Sequence, residues 1–204
     1  MAIVVVGGSN RGVGKTALVC GLIRALPEYR WTAIKITAHD HGSRKPIWEE
    51  TAPAADPSEG KDTARYLAAG AARALLATAA PKGPAQLPDL PALLNQLWPM
   101  FGKGTNFLFE SNSVVHHVSA NVCLLIHGGT RRALPLPERK PSFTAAVRFA
   151  DALVTHSHAD SLTPEGLCLE DQEPKPIFHL EALERISPEM LAFLRQRLPQ
   201  TPRS

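Results

Sequence analysis

Residues 2–16 read Ala-Ile-Val-Val-Val-Gly-Gly-Ser-Asn-Arg-Gly-Val-Gly-Lys-Thr. The run Ala2–Val6 is apolar without alternation, a pattern that suits a strand covered on both faces in a parallel sheet. It stops at Gly7-Gly8, and Gly12 and Gly14 punctuate the segment that follows. From Lys15 onward Leu18, Val19, Leu22, Ile23 and Leu26 recur at helical spacing, and Pro27 ends the pattern. Residues 31–37, WTAIKIT, read as a second strand, so the chain opens as strand, glycine-rich turn, helix, strand.

The turn itself carries chemistry. Gly14-Lys15-Thr16 completes the end of the Walker A pattern GxxxxGK[ST], with Ser9 standing where its first glycine would be. A loop that wraps a phosphate must turn successive backbone N–H groups inward, and glycine permits both the backbone angles and the close approach. The helix start adds the positive end of its dipole. Gly8, Ser9, Asn10, Arg11, Gly12, Val13, Gly14, Lys15 and Thr16 are therefore the candidate phosphate-binding residues. Lys15 reaches β/γ-phosphate oxygens and is the candidate catalytic residue, and the Thr16 hydroxyl is a candidate Mg²⁺ ligand. Arg11 either meets phosphate charge or is a solvated loop residue. Phosphates do not distinguish ATP from GTP, so the loop leaves that choice open.

Outward from this unit, strands and helices alternate. Residues 38–60 read as a long loop interrupted by proline and glycine. Helices are expected over 61–70, with Gly70 near the C-terminus, and over 88–101, 142–149 and 187–198, the last begun by Ser187-Pro188-Glu189. Strands are expected over 105–110, 120–126, 150–156 and 176–179, while 73–79 fits a strand or a continued helix. The expectation is an α/β fold, a mainly parallel sheet flanked by helices as in P-loop NTPases, forming one domain over 1–204. Trp98 and Met100 are expected in the core.

Composition narrows the function. Of 204 residues 44% are hydrophobic and 20% charged, which excludes wholesale disorder. There is no apolar run long enough for a membrane span and no signal-peptide pattern. Cys20, Cys123 and Cys168 are far apart, which argues against a disulfide scaffold or zinc knuckle and fits a reducing cytoplasm. A net charge of +3 without a basic run argues against a nucleic-acid partner.

A phosphate loop needs an acidic partner for Mg²⁺, which takes oxygen ligands and keeps several waters. Glu110, at the end of the strand-like NFLF, is the first candidate, since ligands gather at the C-terminal ends of strands in open α/β sheets. Asp62 is the second and could instead cap the helix that follows; Asp40 is the third. Lys35, inside the second strand, either snorkels or turns its ammonium toward an anionic ligand. His39, His41, His116 and His117 lack the i, i+4 spacing of a helical metal site.

The segments VVVGGSNRGVGKTALVCGLIRAL, AIKITAHDHG, GKDTARYLAAGA and FLFES together resemble the MobB-like family, the molybdopterin-guanine dinucleotide biosynthesis adapter proteins, which are SIMIBI-class P-loop NTPases. The resemblance spans roughly residues 1–80 and 105–127. It implies that Lys15 and Thr16 hold phosphate and Mg²⁺, that Asp62 and Glu110 complete the metal region, and that Lys35 with His39 or His41 lies near the ligand. The family's Lys-His pair reads Lys35-Ile36 here, and its Glu-Gly reads Glu110-Ser111. A molybdenum-cofactor biosynthesis enzyme as partner, and a homodimer, are implied by the resemblance only. The GVGKT loop and strand-end glutamate also resemble dethiobiotin synthetase, whose lysine-proline segment is absent here. Asp160, in Ser157-His158-Ala159-Asp160, stands at the spacing of the guanine-binding Asn-Lys-x-Asp of GTPases and reads either as a base ligand or as a turn carboxylate. The expected activity is Mg²⁺-dependent GTP or ATP binding with slow hydrolysis, since no general base is evident. The alternatives are an ATP-dependent synthetase acting on a small metabolite and a nucleotide-switched binding module.

Overall fold

The computed structural model describes residues 1–37, 46–56, 60–79, 81–82, 87–127, 141–155 and 175–200. Its centre is β1 (Ile3–Gly8), buried along its whole length. Successive side chains of a strand point to opposite faces. Val4 and Val6 accordingly enter one core cluster and Ile3 and Val5 the other. Both faces are covered, which is why no polar residue interrupts the run.

α1 (Lys15–Ala25) lays Leu18, Val19, Leu22 and Ile23 onto the first face. It is joined there by α2 (Asp62–Ala68), through Tyr66, and by α5 (Pro188–Arg197), through Met190 and Leu194. The opposite face is covered by α3 (Leu90–Leu97) and α4 (Pro141–Val147), with Leu93, Leu97 and Phe143 inward. The remaining strands of the main sheet are β2 (Thr32–Thr37), β3 (Ile47–Glu49), β4 (Arg73–Thr78), β7 (Phe107–Glu110), β8 (Val122–Ile126), β9 (Ala152–Thr155) and β10 (Ile177–His179). A separate antiparallel pair joins β5 (Pro81–Lys82) to β6 (Leu87–Pro88).

The sheet has eight strands in the order β10-β9-β8-β1-β7-β2-β4-β3, parallel except for β3. β7 lies between β1 and β2, so the first two strands of the chain are not neighbours. That crossover opens a crevice beyond the strand ends, where ligands sit in such sheets. Partner residues across β1, β7, β2, β4 and β3 form one row: Val6, Glu110, Lys35, Leu76 and Trp48.

The ambiguous segment 73–79 is a strand, β4. The long loop expected over 38–60 needs correction, because it contains β3. β3 is only three residues long, and a side-chain clamp pins it: Arg73 donates from Nε and Nη2 to Glu49 at 2.6 and 2.8 Å. The Arg73 hydrogen bonds hold the Glu49 carboxyl below its ordinary pKa. α2 ends as foreseen near Gly70, where Gly70 and Ala71 donate to the carbonyls of Leu67 and Tyr66 in a Schellman closure. The expected helix 88–101 is shorter, with Asp89 capping the Ala92 amide and a 3₁₀ turn over Trp98–Met100. Trp98 packs on the core, but Met100 is 39% exposed, because that turn swings it outward.

Candidate functional site

The segment 9–14 leaves β1 at the C-terminal edge of the sheet and delivers the chain into α1. Gly12 and Gly14 take φ of +76° and +95°, where an L side chain is strained. Gly14 is further constrained, since a Cβ there would lie 2.2 Å from Leu183 Cδ1. The Ser9 amide continues the sheet ladder by donating to Ile126 O at 2.9 Å. Lys15 Nζ donates to Asn10 O at 3.1 Å and spans the open side of the loop. It lies at the surface of the cleft and is not drawn into the interior. The first turn of α1 itself contains no acidic residue.

Sequence reading missed Asn112. Its Oδ1 accepts from the Gly8 amide at 2.7 Å and its Nδ2 donates to Gly8 O at 3.0 Å, so both polar groups of that residue are bonded to one side chain. The only hint was position, two residues beyond the strand-end glutamate.

At the foot of α1 the acidic candidates meet. Thr16 Oγ1 is 2.8 Å from Glu110 Oε2 and 3.0 Å from Asp62 Oδ1. Its single proton can serve only one of them at a time. Glu110 is 3% exposed and also accepts from the Tyr66 hydroxyl. Lys35 Nζ pairs with Asp62 and lies 3.0 Å from Glu110 Oε1. The lysine is therefore neither snorkelling nor spare. Burial works against its charge, but Glu110 and then Asp62 outweigh it and raise its pKa. Burial likewise works against the Asp62 carboxylate, and the hydrogen bond and charge of Lys35 overcome it, so Asp62 is held below the ordinary carboxylate range. Burial, reinforced by Glu110, pushes Tyr66 far above a normal phenol. Asp62 is not the cap of α2; Lys61 holds that position and makes no side-chain capping bond.

The hard oxygen set of Thr16, Asp62 and Glu110 suits Mg²⁺, with the remaining positions left to water and phosphate. These residues open onto a cleft of about 1020 Å³ that runs from the loop past Lys35 to Trp48. Gly8, Arg11, Gly12, Gly14, Lys15, Thr16 and Asn112 line it too. Among the described residues Arg11 is exposed and points no charge at a carboxylate.

Other candidates lie elsewhere. His116 closes a 3₁₀ turn after β7 and packs its ring on Phe149, with centroids 4.8 Å apart; neither it nor His117 lines the cleft. Among the described residues no group of three or more His, Cys, Asp or Glu is placed to hold a metal. His39, Asp40, His41, Asp160 and Cys168 lie outside the described residues. Cys20 and Cys123 are buried free thiols, and burial raises their pKa to about 11 and about 12. No described helix is long and apolar enough to cross a membrane.

No model of a known protein family matches the chain, and no curated protein sequence matches it. Solved structures do. LpxK from Aquifex aeolicus, in a structure with ATP, is 17% identical with a TM-score of 0.50, over 87% of this chain and 53% of its own. The chain thus spans about half the length of LpxK. Two structures of Bacillus subtilis MobB match 98% of this chain and 99% of theirs, at 16% and 17% identity and TM-scores of 0.46 and 0.45. The strand order, the loop between β1 and α1, and the likeness to LpxK give the conclusion that this chain has the P-loop NTPase fold.

Proposed function

We propose that the chain, as one domain over 1–204, binds a magnesium nucleoside triphosphate, GTP or ATP, and hydrolyses it slowly. The observation that carries this reading is the meeting of Thr16, Asp62, Glu110 and Lys35 directly below the Walker A helix. The 8–16 segment would hold the triphosphate through its amides, with the Lys15 ammonium leaving Asn10 O for the β/γ-oxygens. Arg11 would add a second cation at the rim. Bound Mg²⁺ would supply charge neutralisation on the phosphates, with Thr16, Asp62 and Glu110 as its protein ligands. Lys35 stays between the two carboxylates and limits their mutual repulsion. In hydrolysis a water oxygen bonds the γ-phosphorus, the bond to the β–γ bridging oxygen breaks, and nucleoside diphosphate and phosphate leave.

The resemblance of GKDTARYLAAGA and its companion segments to the MobB-like family supports a role in molybdenum-cofactor assembly, in the cytoplasm, with a biosynthetic enzyme as partner and a homodimer as the working form. Asp160 is proposed as a base ligand on its spacing, that of the guanine-binding Asn-Lys-x-Asp of GTPases. The length of the cleft favours a second reading, an ATP-dependent synthetase. About 1020 Å³ lies at the top of the roughly 300–1,000 Å³ usual for small-molecule sites, leaving room for a second substrate.

The test is titration of fluorescent GTP and ATP analogues with Mg²⁺ into the wild type and Lys15→Ala. The variant should bind at least about tenfold more weakly, about 1.4 kcal/mol. Equal affinity removes the phosphate-loop assignment. Phosphate release that appears only with an added small carboxylate or amine would favour the synthetase reading over the adapter reading.

A further inference from the structure

The row of partner residues across the sheet does not stop at the charged cluster. Beyond Glu110 and Lys35 it continues through Leu76 to Trp48, which sit side by side on β4 and β3. Both are half-buried and both line the cleft. Opposite them stands Lys61, whose ammonium lies 5.1 Å from the centre of the Trp48 ring. Lys61 is exposed, and among the described residues its ammonium meets no carboxylate. The geometry is fixed from below, because Thr63 donates to Glu50 at 3.3 Å and ties the start of α2 to the end of β3.

A polar chain end, a flat indole and an aliphatic floor in one recess are not needed for phosphate or for Mg²⁺. We propose that this end of the cleft is the subsite for a second small molecule with a flat apolar body and at least one negative charge. Leu76 and the Trp48 ring take the body by burial and stacking. The Lys61 ammonium, held over the indole ring at the mouth of the recess, takes the anion. The inference rests on the nucleotide reading above, in that the row points this molecule toward Lys35 and the γ-phosphate position.

Calorimetric titration of 1-naphthyl phosphate into protein loaded with Mg²⁺ and a non-hydrolysable triphosphate tests it. Saturable binding is expected in the wild type and in Lys15→Ala without nucleotide. Trp48→Ala and Lys61→Ala should each weaken it at least about tenfold, about 1.4 kcal/mol. Trp48→Phe, which keeps a ring, should recover most of the loss, and all three variants should bind nucleotide within about twofold of the wild type. Unchanged probe affinity in either alanine variant overturns the subsite, as does loss of probe binding in Lys15→Ala. If the wild type binds no nucleotide, the nucleotide reading fails, and the same titration on unloaded protein still decides the subsite.

Discussion

Lys35 and Glu110 are direct partners in the pairing of β2 with β7, and their charged atoms meet at 3.0 Å. The contact is set by the register of the sheet, so it precedes any ligand. It sets an ammonium against a 3% exposed carboxylate that would otherwise stand beside Asp62 with no cation between them.

Lys35→Met should leave two carboxylates facing each other around Thr16. Removing one member of a fully buried pair costs roughly 3–5 kcal/mol, and this cluster is partly solvated, so a loss of about 2 kcal/mol is expected. Mg²⁺ should raise the stability of the variant more than that of the wild type, because the cation replaces the missing ammonium. Urea unfolding with and without Mg²⁺ measures both. Equal Mg²⁺ effects would disprove the shared site.

Gly14→Ala should destabilise by about 2 kcal/mol, from a positive φ together with overpacking of Leu183. Leu183→Ala in the same chain relieves the overpacking but not the backbone strain. A double-mutant cycle should therefore show favourable coupling of about 1 kcal/mol. Strict additivity would mean that the leucine does not press on the loop.

Asn112→Ala strips two hydrogen bonds from Gly8 and leaves its amide and carbonyl unpaired. The expected loss is about 1–3 kcal/mol. Nucleotide affinity should fall as well, although Asn112 carries no charge for a phosphate. Denaturation and the fluorescent-analogue titration give the two readouts, and a change in neither would dismiss Asn112 as the anchor of the loop.

The pH dependence of the ligand-free protein follows from Asp62 and Lys35. Burial opposes both charges; Lys35 overrides it at Asp62 and depresses that carboxyl, and Glu110 followed by Asp62 overrides it at Lys35 and raises that ammonium. A depressed carboxyl binds its proton less readily folded than unfolded. Its contribution is full above the ordinary carboxylate range and is lost as pH falls through that range to the lowered value. The Lys35 contribution is full below an ordinary lysine pKa and is lost only as pH rises to the raised one. Asp62→Asn should therefore flatten the decline in stability between about pH 5 and about pH 2. Urea midpoints across that interval decide it, and an unaltered slope would place the acid sensitivity elsewhere.

The sequence disclosed local elements better than their neighbours in space. Ala2–Val6 announces a doubly covered strand because every side chain must be apolar, and the loop after it is legible because glycine spacing and Lys15-Thr16 are chemical requirements. Glu110 and Asp62 were visible as strand-end and helix-start acids. Their meeting at Thr16 was implied by the family resemblance alone, because it depends on β7 lying between β1 and β2, and strand order leaves no local mark. β3 escaped notice because three residues are too few for a period, and what holds it is its pairing with β4 and an arginine on that distant strand. Asn112 escaped for a similar reason: its partner is 104 positions away.

Glu184 ties α1 to α2 from the far end of the chain. It follows β10, its backbone presses on α1 at Gly21, where a Cβ would come within 2.9 Å of its carbonyl oxygen, and its carboxylate grips Arg24 of α1 and Arg65 of α2 at 3.0 and 3.3 Å. Arg65 is less than one helical turn beyond Asp62. The late part of the chain thus acts as a clasp on the early part, and loosening that clasp would slacken the helix that aims the metal-side carboxylate.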